Sequence, residues 1–192
     1  MSLSKRLTVL AMLGLTACAT STAPVSEVLD PLTAVTATYS NSPLIVYRDN
    51  HSRAAFSKNY VSIGPLEINK SGTYNYYLWL GIWSTLQTND PTEQQDGFES
   101  VVLLVDGEPL LLDLVGWTPA SIGTSEPVYP KPFATSLDAY YRITADQVRL
   151  IANSSDIVLR TTGAAPLEFE LWGEQKAARS DLNEFLHYIS VQ

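Results

Sequence analysis

Apolar and polar positions alternate along most of the chain after residue 30, and this two-residue period is typical of half-buried β-strands. Asp106-Gly107 lies between two apolar runs and predicts a hairpin. Gly64-Pro65 interrupts another apolar run and predicts an edge strand or a bent strand, because proline has no N–H for a sheet ladder. The predicted strands cover residues 32–39, 44–47, 60–68, 73–86, 98–105, 109–115, 137–143, 157–161 and 167–172.

Two segments instead show the helical period of 3.6 residues. Thr144 and Gln147 fit a capping box, which predicts a helix of two to three turns behind them. Residues 175–189 predict a second helix with a one-sided apolar stripe made of Leu182, Phe185, Leu186 and Ile189. Strands and helices do not alternate along the chain. The pattern therefore predicts one mainly β domain over residues 31–192, an antiparallel β-sandwich or open barrel with two short peripheral helices.

The first 17 residues are predicted to be a secretion signal. Lys5 and Arg6 make the start basic, residues 7–15 are an apolar run, and small residues lead up to Cys18. A basic start, a short apolar stretch and small residues before a cut site are typical of export signals. The run is too short for a transmembrane helix, which needs about 20 apolar residues.

Leu15-Thr16-Ala17-Cys18 resembles the lipobox of bacterial lipoproteins. The resemblance implies that residues 1–17 are removed and that Cys18 becomes the lipidated first residue. No cofactor is predicted apart from this covalent lipid. Ala19 stands where an aspartate would retain such a protein in the inner membrane, which implies an outer-membrane anchor and a domain facing the periplasm. Residues 18–30 are then the lipidated cysteine and a flexible tether. The alternative is an ordinary secreted protein with a chance cysteine near the cut site.

Charge and cysteine usage narrow the classes of partner and chemistry. The chain has 12 basic and 20 acidic residues, and losing Lys5 and Arg6 with the signal leaves a net charge of −10. Nucleic acid and anionic membrane surfaces repel such a domain. Cys18 is the only cysteine. Once it carries the anchor, the folded domain has no disulfide, no thiolate metal ligand and no cysteine nucleophile.

The segment 74–83 is the richest in aromatic residues. Strand alternation places Tyr77, Trp79 and Trp83 on one face, with Gly81 between the two tryptophans. One interpretation is an aromatic platform for a sugar ring or an apolar chain, with Gly81 leaving a groove. The favoured interpretation is core, because both faces of the strand are apolar and aromatic residues on strands commonly reflect packing.

A second candidate is the loop 116–136, which contains four prolines together with Trp117, Tyr129 and Phe133. Loops of about twenty residues are unusual in compact domains and are often binding loops or lids. Prolines lower the entropy that the loop loses on ordering. The alternative is a crossover that only covers one end of the sheet, and loop length does not separate the two.

Neither a catalytic residue nor a metal site is predicted. The two histidines, His51 and His187, lie in a polar loop and off the apolar stripe of the last helix. Asp49, His51 and Ser52 have suitable chemistry for a nucleophilic site, but sequence neighbours are not the spatial arrangement that catalysis needs. The acidic stretch 90–99 does not match the spacing of an EF-hand loop.

The anchor, the β-rich pattern and the lack of a catalytic motif together predict a non-enzymatic binding or assembly accessory of the cell envelope. Its expected partner is another envelope protein. A glycan- or lipid-binding module that uses Tyr77, Trp79, Trp83 or Trp117 is the second hypothesis. An envelope hydrolase is the third.

Overall fold

The computed structural model describes residues 23–51, 54–86 and 95–191. The signal segment 1–17 and Cys18 lie outside these ranges. The chain is mainly β, as predicted. Within these ranges the strands are β1 (Val25–Asp30), β2 (Val35–Ser40), β3 (Leu44–Asp49), β4 (Lys58–Lys70), β5 (Thr73–Ser84), β6 (Ser100–Val105), β7 (Glu108–Gly116), β8 (Leu137–Ile143), β9 (Ile157–Thr161) and β10 (Glu168–Leu171). The described part of the chain also contains the helices α1 (Ala145–Asn153) and α2 (Lys176–Ser190) and a 3₁₀ helix at Pro119–Ile122.

Eight of the strands form a closed antiparallel barrel in the order β4-β3-β10-β9-β6-β7-β8-β5, and β5 pairs with β4 to close the ring. The barrel is thus the correct alternative of the two predicted architectures, and it is closed, not open. Closure leaves no unpaired edge in the ring itself. The hairpin β1–β2 extends the sheet beside the second half of β4.

β4 changes its neighbour halfway along its length. Residues 58–63 pair with β3 and residues 66–69 pair with β2, whereas β5 follows β4 from end to end. Gly64 and Pro65 occupy the change-over, where no strand lies on that side. The missing N–H of Pro65 therefore breaks no ladder bond there. The edge-strand prediction was wrong for β4 as a whole, but Gly64-Pro65 does mark the one interruption in its pairing.

The interior of the barrel and the apolar faces of both helices form one core. The predicted capping box is present: the Thr144 hydroxyl accepts from the Gln147 backbone N–H, and the Gln147 side chain accepts from the Thr144 N–H. These bonds satisfy donors that a helix start leaves free. Val148 and Ile151 of α1, with Leu182 and Phe185 of α2, are each at most 2% exposed within this core.

Thr144→Ala should lower the free energy of unfolding by about 1 kcal/mol, the usual loss when a helix N-cap is removed. Urea denaturation, monitored by circular dichroism, measures this change in the free energy of unfolding. The matched control is Thr135→Ala, because Thr135 is exposed in a loop. The control should stay within about 0.5 kcal/mol of the wild type. Equal effects of the two substitutions would contradict a stabilising role for the cap.

The prediction of a flexible tether over residues 18–30 is wrong for the second half of that segment. Val25–Asp30 is a strand that pairs with β2 along its whole length. Asp30 fixes the turn behind it, accepting hydrogen bonds from the backbone N–H of Leu32 and from the side chain of Ser125 in the loop 116–136, both at 2.9 Å. Hydrogen bonds to Ser125 hold the pKa of Asp30 far below its usual range. Strand β1 therefore begins seven residues after Cys18.

Candidate functional site: an aromatic patch on the barrel wall

The aromatic strand β5 presents its two faces to different surroundings. Leu78, Leu80 and Ile82 point into the barrel core. Tyr77, Trp79 and Trp83 point to the outside of the barrel, as the alternation predicts. The outer face is covered over one half of β5 and open over the other. The two halves are therefore described separately as a covered and an open half.

The covered half forms a second, outer core. Trp79 is 1% exposed, its ring stacks on Tyr129 with centroids 4.4 Å apart, and its indole N–H donates to Asp138 at 3.0 Å. Lys131 lies 3.0 Å from the other carboxylate oxygen of Asp138, so this buried charge is paired. The outer core consists of Val35, Ala37, Leu66, Ile68, Tyr77, Trp79, Ile122, Tyr129 and Tyr140. Core is therefore the correct interpretation of Tyr77 and Trp79, which are not available to a ligand.

The interpretation of Gly81 as a groove is wrong. A Cβ built on Gly81 would lie 2.4 Å from Cη2 of Trp79, so the space beside this glycine holds the Trp79 ring itself. Gly64 leaves the same kind of space for Tyr129, because a Cβ built on Gly64 would lie 2.4 Å from Cζ of the Tyr129 ring. Both glycines let an aromatic ring lie directly on the barrel wall.

The proline-rich loop 116–136 is the crossover that covers the outer core. Tyr129 is its main anchor: the ring is 1% exposed, and the hydroxyl donates to the Pro65 carbonyl at 2.7 Å. This carbonyl lies at the change-over of β4, where β4 is paired with neither β2 nor β3. Burial raises the pKa of Tyr129. The prediction of Tyr129 as a contact residue was therefore wrong, and Trp117 is half-buried against the barrel core.

The open half of the wall carries a row of aromatic rings across three strands. Tyr47 of β3 pairs with Tyr60 of β4, which pairs with Trp83 of β5. Tyr60 and Trp83 stack with centroids 4.1 Å apart and planes 12° from parallel. Phe133 lies 5.5 Å from the ring of Trp83, and Trp172 lies 5.8 Å from Tyr60. We call Tyr47, Tyr60, Trp83, Phe133 and Trp172 the aromatic patch.

The patch is open to solvent at its two flanks. Phe133 is 46% exposed and Trp172 is 53% exposed, whereas Tyr60 in the middle is 9% exposed. Tyr47 and Trp83 are half-buried. Large side chains of this kind are usually buried, so a group of them with open flanks is a candidate interaction surface. Of the predicted contact residues, Trp83 and Phe133 belong to this surface.

Polar groups surround the patch. The ammonium of Lys58 lies 4.6 Å from the centre of the Tyr47 ring and pairs with Asp49. Their hydrogen bond lowers the pKa of Asp49 and raises that of Lys58, so both groups stay charged over the physiological range. The indole N–H of Trp83 donates to Ser62 at 3.3 Å. The exposed Glu170 continues the row beyond Tyr47.

Three residues of the patch were not predicted from the sequence: Tyr47, Tyr60 and Trp172. Each of them stands at or near the end of a different strand, 13 residues or more from the next along the chain. The available signal was weak: all three are terminal residues of predicted strands, but the register of those strands decides whether the residues meet.

The residues considered for catalysis and metal binding are exposed or lie outside the described part of the chain. His51 and His187 are exposed, and Ser52 lies outside the described residues. Asp90 and Glu93 of the acidic stretch lie outside them as well. Among the described residues, no group of three or more His, Cys, Asp or Glu side chains could hold a metal ion. The same part of the chain contains no helix that is long and apolar enough to cross a membrane.

No protein-family model, no curated protein and no solved structure matches this chain at a significant level.

Proposed function

We propose that this protein is a lipoprotein, anchored to the outer membrane and facing the periplasm, that binds another envelope protein through the aromatic patch. It acts as a non-enzymatic accessory in this proposal. The observation that supports it is the group of partly exposed rings around Tyr60, with Trp172 and Phe133 most accessible. Tryptophan and tyrosine are the residues most enriched among those that carry the binding energy of protein interfaces.

The composition of the patch fits a protein interface. Its centre is apolar and its rim contains Asp49, Lys58 and Glu170, as in interfaces with an apolar core and a polar border. The stacking of Tyr60 on Trp83 already fixes two of the rings. Binding therefore loses less side-chain entropy than it would on a surface of mobile residues.

A protein partner fits the shape of the patch better than a small ligand does. The patch lies on the outer wall of a barrel, and one face of Trp83 is covered by Tyr60. In the glycan- or lipid-binding alternative, the contact residues are Trp83, Phe133 and Trp172, because Tyr77 and Trp79 are buried.

Photo-crosslinking in intact envelopes tests the proposal. A benzophenone amino acid replaces Phe133 or Trp172 in the full chain, with Leu150 of α1 as the matched control because it is 60% exposed. The expected result is one discrete protein adduct from both patch positions and none from the control. Adducts of equal yield from all three positions, or from none, would contradict a protein-binding patch.

Trp172→Ala should reduce the adduct formed from position 133 by about tenfold or more, since loss of a hot-spot residue costs about 2 kcal/mol or more of binding energy and tryptophan is enriched among such residues. Stability should change little, because Trp172 is 53% exposed. Leu150→Ala is the control and should leave the adduct unchanged. Titration of the same proteins with cell-wall glycans or lipid vesicles, followed by tryptophan emission, tests the alternative. An emission change that depends on Trp172, without any protein adduct, would favour the glycan or lipid function.

A further inference from the structure

The sheet buries a carboxyl group under the last helix. One cross-strand row joins Glu27 of β1, Thr38 of β2, Glu67 of β4 and Tyr76 of β5. Glu67 is 1% exposed, and within the described part of the chain its Oε2 atom has no hydrogen-bond partner. A buried carboxylate is costly unless it is paired, so its charge state matters to the elements packed on it.

The titratable groups that face Glu67 are all acidic. They are Glu27 on β1 and Tyr76 on β5, with Tyr188 and Tyr74 next to Glu27 and Tyr76. Burial, together with the negative charge of Glu27, raises the pKa of Glu67, although the Tyr76 hydroxyl hydrogen-bonds to it. Burial and Glu67 raise the pKa of Tyr76 to about 12, so Tyr76 stays neutral and acts as a donor.

α2 covers this row. It contacts both β1 and β2, and the hydroxyl of Tyr188 in its last turns donates to Glu27. Ionising Glu67 places two carboxylates between the hairpin β1–β2, the barrel and α2. The β1–β2 hairpin can relieve this repulsion, because it pairs with the barrel only through residues 66–69 of β4.

We infer that Glu67 is a proton-operated latch: the β1–β2 hairpin and the last turns of α2 are held on the barrel when Glu67 is protonated and open more often when it is ionised. This inference does not depend on the proposed partner. The latch involves β1, the first described strand after residue 18. Proton concentration then acts on the described strand that is nearest in sequence to the predicted anchor.

The sign of the pH dependence follows from the direction of the pKa shift. The pKa of Glu67 is higher in the folded protein than the value of 4.5 expected in the unfolded chain. The folded state therefore binds this proton more tightly. The stabilisation is fully present below pH 4.5 and is lost as the pH rises through the pKa of the folded protein. Glu67→Gln has a neutral side chain at every pH and should remove this dependence.

Hydrogen–deuterium exchange of the full chain between pH 4 and pH 8, corrected for intrinsic exchange rates, tests the latch. Protection of peptides from 25–40 and 182–190 should fall in the wild type as the pH rises, because ionised Glu67 no longer stabilises the closed arrangement. In Glu67→Gln it should stay constant. Glu99→Gln is the matched control, because Glu99 is exposed, and it should follow the wild type.

A wild-type protein with constant protection, or a Glu67→Gln variant that keeps the wild-type pH dependence, would overturn the inference. Glu27→Gln provides a second test that also covers a Glu67→Gln variant that does not fold. Removing the charge of Glu27 lowers the pKa of Glu67 toward its usual value, so the loss of protection should move to lower pH. An unchanged midpoint would overturn the latch as well.

Discussion

Tyr129→Ala is expected to lower the free energy of unfolding by about 3–5 kcal/mol, the range found when a large buried aromatic side chain is deleted. The ring is 1% exposed and stacks on Trp79, so its loss opens a cavity on the barrel wall. It also removes the donor to the Pro65 carbonyl. The loop 116–136 would then lose its main anchor, and the outer core would be exposed to water.

Two further variants separate the contributions of the ring and the hydroxyl. Tyr129→Phe keeps the stacking on Trp79 and removes the hydroxyl, which donates to the Pro65 carbonyl and lies 3.4 Å from the Ser40 hydroxyl. This loss should cost about 1–3 kcal/mol, mainly for the buried Pro65 carbonyl left without its donor. Phe133→Ala is the matched control from the same loop and should cost much less, because Phe133 is 46% exposed. Urea denaturation followed by tryptophan emission measures all three. A Tyr129→Ala variant as stable as Phe133→Ala would contradict the role of Tyr129 as anchor.

Local patterns were sufficient to predict most of the elements. β8 has the predicted bounds, and Asp106-Gly107 forms the predicted hairpin turn, with both residues at positive φ. Thr144 caps α1 as its spacing with Gln147 indicates. These features depend on residues close together in sequence, which determine alternation, turn type and capping. β1 was missed because its segment is aperiodic and becomes a strand only by pairing with β2.

Closure of the barrel and the position of the site could not be predicted in this way. Whether Trp79 or Trp83 is exposed depends on where the loop places Tyr129, some 50 residues further along the chain. The aromatic patch likewise depends on the register that brings Tyr47 and Tyr60 beside Trp83. Such pairings are not local, and a shift of one residue would turn each side chain to the other face of the sheet.

Cys18→Ala is expected to abolish membrane attachment of the whole protein while leaving the domain folded. The resemblance to lipoproteins assigns the lipid to this residue alone, and Cys18 is the only cysteine in the chain. Acyl chains bind a membrane with about 0.8 kcal/mol per buried CH₂, and two or three of them give stable anchoring. Without the thiol, no site for the first chain remains.

Labelled palmitate incorporation and membrane fractionation measure the loss, and urea denaturation measures the fold. The unfolding midpoint should match that of the processed wild-type domain, since the described fold begins at Ala23 and needs no thiol. Thr20→Ala is the control, because it changes the segment after the anchor and keeps the four residues that resemble a lipobox. A Cys18→Ala product that is still labelled and membrane-bound would rule out the anchor. If attachment is lost while the Phe133 crosslink persists in the soluble variant, then anchoring and partner binding are separate properties of the protein, the first carried by Cys18 and the second by the aromatic patch.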